Sequence, residues 1–133
     1  MSAAVFDSLP ALLGAPPMEL GASAWATVSE ADIDAFGRAV GTGPSPYLAL
    51  SLTNRFLPEL LQVPAAASGV NYGAESARFG APLQAGDRVR ASARLVSAGA
   101  VPGGIQTVVE ISVEVDGADE AACVVRSLSR WLS

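Results

Sequence analysis

The 133-residue sequence has no histidine, no lysine and a single cysteine, Cys123. Without histidine the commonest general base is missing, and with it the Ser-His and Cys-His nucleophile pairs and the HExxH type of metal site. One cysteine supports neither an internal disulfide nor a zinc site of Cys and His ligands. Cys123 lies in an apolar, strand-like run, where a buried small hydrophobe is the simplest reading. All basic residues are arginine and the net charge is −5. A nucleic-acid binder needs a basic surface, so that class is set aside. No apolar run approaches the roughly 20 residues that span a bilayer, so no membrane partner is expected. The opening MSAAVFDSLP has no basic stretch and carries Asp7, against a signal peptide. A cytoplasmic protein is the expectation.

Half of the residues are hydrophobic and the mean hydropathy is +0.38, which argues for a packed core. One domain over residues 1–133 is the simplest division, since a chain of this size buries roughly two-thirds of its unfolded surface. Residues 1–22 are apolar but broken by Pro10, Gly14, Pro16 and Pro17, and read as a short helical turn and a packed-down arm. SAWATV (Ser23 to Val28) reads as a short strand. Ser29 and Asp32 have capping-box spacing, which predicts a helix over Glu30 to Val40, with Glu30, Asp32 and Asp34 at the positive end of its dipole. Ile33, Phe36 and Val40 share one face, and Gly41 suits the stop. Ser45 followed by Pro46 predicts a second helix over 45–61. Its stripe of Leu48, Leu52, Phe56 and Leu60 makes a wide apolar face, and Pro58 should kink or nearly end it.

After Gly69 the pattern changes to period two. Strands are expected over 70–131: VNYGAESARF with a bulge or a close approach at Gly73, then RVRASARLVSA, IQTVVEISVEV and AACVVRSLSRWL, in long hairpins turned at Pro102–Gly104 and Asp116–Asp119. Arg88, Arg90 and Arg94 alternate on one strand face as Glu110 and Glu114 do on the next, a pattern for cross-strand ion pairs. Four antiparallel strands with one apolar face need a cover, and the Leu48/Leu52/Phe56/Leu60 helix is the best one. The expected fold class is therefore α+β, a curled antiparallel sheet wrapped around a central helix.

Three blocks resemble one family, the MaoC-like hydratases and dehydratases, hot-dog-fold enzymes that add or remove water on acyl thioesters. They are SAWATVSEADIDAFGRAVG, YLALSLTNRFLPELLQV and VNYGAESARFGAPLQAGDRVRASARL, covering most of residues 23–95. The third is the most specific, since its Asn-Tyr-Gly, Arg-Phe and Gly-Asp positions are not required by strand alternation. The resemblance implies a single hot-dog domain, no cofactor and no metal. It also implies a ligand linked to coenzyme A or acyl carrier protein, and a homodimer or a heterodimer with another MaoC-like subunit. In that family an Asp after the first helix and a His a few residues later activate the catalytic water, and an Ala-His-Gly opens the central helix. Here Gly41 is followed by Thr42, and the approach to the helix is Gly43-Pro44-Ser45-Pro46. The family's catalytic residues are accordingly not carried over.

Thr42, Tyr47, Asn54, Asn71, Tyr72 and Arg78 are the expected ligand-binding residues, with Tyr47 and Glu75 as the weak catalytic candidates. Two functions follow from the resemblance. One is a degenerate, non-hydratase subunit, a pseudoenzyme that binds an acyl-thioester or polyketide-like ligand or partners a catalytic relative. The other is a lyase-like enzyme of altered chemistry, a dehydratase, isomerase or cyclase.

Overall fold

The structure, a computed structural model, describes residues 3–41 and 44–133. Helix α2, Glu30–Val40, has the predicted bounds, and its capping box is formed: Ser29 Oγ accepts from the Asp32 amide and Asp32 accepts from the Ser29 amide. Gly41 ends it at φ 83°, a left-handed backbone that glycine adopts without a Cβ clash. Ile33 and Phe36 pack against the core, whereas Val40, expected on the same face, is 48% exposed. The second helix, α3, runs Tyr47–Phe56 and tightens into a 3-10 turn at Leu57–Glu59. Pro58 thus ends the α-helix earlier than residue 61, because it has no amide to continue the i→i−4 ladder. Pro46 rather than Ser45 occupies the N-cap position, while Ser45 Oγ still accepts from the Tyr47 amide at 3.2 Å.

The amino-terminal segment is more ordered than an arm. Strand β1 (Ala4–Val5) pairs in parallel with β4 (Leu61–Gln62), and helix α1 (Leu9–Leu13) buries Leu12. Strand β2 (Met18–Ala22) joins the main sheet. The expected Ser23–Val28 strand is reduced to β3, Ala26–Thr27. Both β2 and β3 pair with β6 (Arg88–Val101), and the break between them turns Trp25 outward beneath the Arg88 and Arg90 guanidinium groups, 5.4 and 4.5 Å from its ring. Cation–π attraction there adds to what alternation alone would predict.

The remaining strands are β5 (Ser68–Phe79), β7 (Gly104–Val115) and β8 (Cys123–Leu132). The sheet order is β2-β6-β7-β8-β5, antiparallel between neighbours. Strand β5 is therefore not in a hairpin with β6, contrary to the expectation of four strands in sequential hairpins. Gly80–Asp87 carries the chain past β7 and β8, and β5 closes the far edge on β8. Two register shifts interrupt β5, one at Asn71/Gly73 as expected and one at Ala74/Ser76.

Helix α3 packs on β6, β7 and β8. The odd-numbered residues of those strands, Val89 to Leu95, Ile105 to Val113 and Cys123 to Val125, form the buried floor beneath Leu48, Ala49 and Phe56. Burial of each valine, leucine, isoleucine or phenylalanine side chain among them contributes about 1.5–3 kcal/mol. Cys123 is fully buried, and loss of solvation pushes its thiol pKa up, so its role is packing. No helix of the described residues is long and apolar enough to cross a membrane.

On the other sheet face the expected pairs Arg90–Glu114 at 2.7 Å and Arg94–Glu110 at 3.4 Å are present, Arg126 adds a second partner to Glu110 at 3.0 Å, and Arg88 pairs instead with Asp116 of the turn at 2.9 Å. Half-exposed pairs of this kind are each worth about 0–1 kcal/mol. The hydrogen bond from Arg126, and then that from Arg94, hold Glu110 below the usual carboxylate range. A folded-state pKa below the unfolded value stabilises the fold above the ordinary glutamate pKa of 4.5, and that stability is lost as the pH falls through the lowered value. Glu110→Gln is expected to cost about 1 kcal/mol at neutral pH, with the difference from wild type vanishing in acid. Urea midpoints measured across the acid range check both parts.

Candidate functional site

Strand β5 runs alongside α3 in the opposite direction, so Phe79 meets Tyr47 at one end and Asn71 meets Asn54 near the other. Between helix and strand lies a trough floored by β8. Asn71 Nδ2 donates to Asn54 Oδ1 at 2.9 Å across it. Both residues border two cavities of about 390 Å³ each. One lies under Leu50, Thr53 and Leu57, over Ile111, Val125 and Ser127. The other is lined by Leu57, Leu61, Gln62, Val63 and Val70, with Ser129 and Trp131 from β8.

The alternation of side chains along β5 produces this arrangement. It sets Asn71 opposite Ser129 on the helix side, while the Tyr72 ring turns to the outer face, 3.6 Å beneath the Arg130 guanidinium. Trp131 lies against the backbone at Gly69, where an added Cβ would sit 3.0 Å from Cζ3 of the indole. Its Nε1 donates to Oγ1 of the fully buried Thr107 at 2.9 Å. Ser129 is 3% exposed, and among the described residues its Oγ has no hydrogen-bond partner.

The structure brings Asn54 and Asn71 together and separates the other expected residues. Thr42 lies outside the described residues. Tyr47 is 58% exposed and packs edge-to-face on Phe79, with ring centroids 5.3 Å apart. Arg78 lies toward the far end of β5, beside Phe79, Glu120 and Val124, away from the Asn pair. Glu75 is exposed within the second β5 bulge. Ser129, Trp131 and Thr107 were not anticipated. For Ser129 and Trp131 the signal is the Ser-x-Ser-x-Trp alternation of residues 127–131, which sets polar groups on the strand face that should be wholly apolar.

Chemically, the trough can hold an apolar group and offer it amides and a hydroxyl. Among the described residues, no carboxylate or cationic side chain lines either cavity, and no group of three or more His, Cys, Asp or Glu side chains could hold a metal ion. The carboxyls held below their usual range lie elsewhere: Asp32, through its bonds with Ser29, at the α2 cap, and Glu110 on the outer sheet face.

No protein-family model matches the sequence. The chain is 29% identical over 148 residues to 3-hydroxyacyl-thioester dehydratase Z of Mycobacterium tuberculosis, covering 96% of this chain and 98% of that protein. The Mycobacterium bovis protein of the same name matches equally. Among solved structures, the MaoC-like dehydratase of Rhodospirillum rubrum superposes with a TM-score of 0.68 at 15% identity, over 84% of this chain and 89% of that one. The (R)-hydratase of Pseudomonas aeruginosa gives 0.63 at 13% identity, over 89% and 81%. By sequence and by architecture, then, this α+β chain resembles the MaoC-like hydratases and dehydratases, and its fold is the hot-dog fold.

Proposed function

We propose that this protein binds an acyl-thioester or polyketide-like ligand, carried on coenzyme A or acyl carrier protein, as a non-hydratase hot-dog subunit. The observation that carries this reading is the trough beside α3: two apolar cavities joined at an amide pair, without an acid or a base in their walls. The ligand class follows that of the mycobacterial relative, whose name specifies a 3-hydroxyacyl thioester. Hydration of an enoyl thioester requires a base for water and an acid for the alpha carbon, each worth about 10²–10⁴-fold. Donors to the enolate oxygen add about 10²–10³-fold apiece. The sequence has no histidine for this work, and only six residues separate Val40 at the end of α2 from Tyr47 at the start of α3. The match to the relative spans 148 residues, more than this whole chain, which supports a segment present there and missing here.

Pairing with a second hot-dog subunit, identical or a MaoC-like relative, belongs to the same reading. Every residue of β5 is exposed, including Val70, Tyr72 and Phe79, and its outer edge has no neighbouring strand among the described residues. Long open edges of this kind invite another strand. The alternative is altered dehydratase, isomerase or cyclase chemistry; Asn71 favours it, as an amide bonded to Asn54 across the trough. The protein alone is expected to hydrate crotonyl-CoA no faster than background. Co-expression with a relative carrying the Asp and His should yield a stable complex. A crotonyl-CoA rate above background removes the non-hydratase reading. Turnover of another acyl thioester that is lost in Asn71→Ala supports the alternative.

A further inference from the structure

The cavity beneath Trp131 carries one polar group that neither packing nor the proposed role explains. Ser129 sits on the helix-facing side of β8, between Thr107 of β7 and Asn71 of β5 in the strand registers. A buried hydroxyl costs free energy when its hydrogen bonds are not replaced, and serine ordinarily meets this cost by bonding a nearby carbonyl. Ser23 does so in this protein, donating to the Ala24 carbonyl at 3.0 Å and accepting from the Ala91 amide at 3.0 Å. Ser129, at 3% exposure, does neither. Its cross-strand neighbours are engaged elsewhere. Thr107 Oγ1 accepts from the Trp131 indole, and the Asn71 amide donates to Asn54.

Around Ser129, Leu57, Leu61, Val63, Val70 and the indole of Trp131 line an open-mouthed pocket of about 390 Å³, whose other polar side chains are Asn54, Asn71 and Gln62. That size is within the range of small-molecule pockets, which are mostly apolar with a few placed polar groups that fix orientation. We propose that this cavity takes the distal part of an oxygenated acyl group, an apolar chain or ring bearing a ketone or hydroxyl that hydrogen-bonds Ser129 Oγ. This deepens the acyl-ligand reading and rests on it. The Asn54–Asn71 bridge would then divide the thioester-proximal length of the ligand from its oxygenated end.

The test is a matched pair of thioesters of equal length, decanoyl-CoA and its keto derivative oxidised one carbon from the free end. They are titrated into the full-length protein while the two indole N–H signals are followed by NMR. Trp131 lines the cavity, and Trp25, on the outer sheet face, serves as the internal control. The keto derivative is expected to bind about tenfold tighter, the scale of one additional net hydrogen bond, and to move the Trp131 signal. Ser129→Ala should erase that preference. Should the variant fail to fold, the wild-type comparison decides alone. Equal affinity for both thioesters overturns the inference, with water or nothing at Ser129, and leaves the acyl-ligand reading standing. Failure of both to bind overturns the two together. A keto preference that survives in Ser129→Ala, or that moves only Trp25, also overturns the assignment.

Discussion

Phe56→Ala is expected to destabilise the protein by about 3–5 kcal/mol, the cost of removing a large aromatic ring from a core that collapses only partly around the gap. Phe56 is the last residue of α3, 1% exposed, and packs where the helix meets the sheet. The loss would be a large share of the roughly 5–15 kcal/mol that holds a domain of this kind together. Urea denaturation followed by tryptophan fluorescence should give a lowered midpoint with an unchanged slope. Val40→Ala is the control. Sequence periodicity assigns Val40 to an apolar face like that of Phe56, but it is 48% exposed, so its loss should fall within about 0.5 kcal/mol. Similar effects at the two positions would mean that α3 is not the buried helix.

Gly104→Ala is expected to cost about 3 kcal/mol, and for a different reason. Gly104 pairs with Leu132 across the β7–β8 ladder, and a Cβ there would overlap the backbone carbonyl oxygen of Trp131. Backbone cannot swing aside as a side chain can, so the strands must part at the base of the Trp131 cavity. The change should therefore both lower the melting temperature and shift the Trp131 indole signal. Gly99→Ala supplies the contrast. It lies on β6 with open space where its Cβ would be, so it should be neutral within about 0.5 kcal/mol. A melting temperature for Gly104→Ala equal to that of Gly99→Ala would contradict the close approach of the two strands.

Much of the fold was legible because it is written in short-range patterns. Helix α2 was bounded by a cap and a stop within its own residues, Ser29 with Asp32 and then Gly41. The alternation in β6 and β7 separated Val89, Ala91 and Ala93 from Arg88, Arg90 and Arg94, and the structure divides them in the same way. The ion pairs followed from that alternation and strand order. The misreadings share a cause. Strand β2 and the β1–β4 pair are held by partners far along the chain, and β5 pairs with β8 across the two intervening strands. Edge strands and short pairings have little local signature, since the hydrogen bonds that define them come from elsewhere.

The candidate site divides along the same line. Asn54 and Asn71 were selected as polar residues, but their meeting across the trough depends on β5 lying antiparallel to α3. Adjacency in the sequence groups Tyr72 with Asn71, yet strand alternation turns its ring to the opposite face, against Arg130.

What the sequence determined by itself is the chemistry that is absent and the local elements, since both depend only on residue type and near neighbours: no imidazole, one thiol, a capped α2, an apolar α3 and alternating strands. Only the tertiary structure decided that Ser129 and Trp131 line one pocket and that β5 forms an open edge. Whether a hydroxyl on an alternating strand meets a partner, a ligand or nothing depends on the elements that pack over it, and those are brought there by pairings between residues distant in the chain.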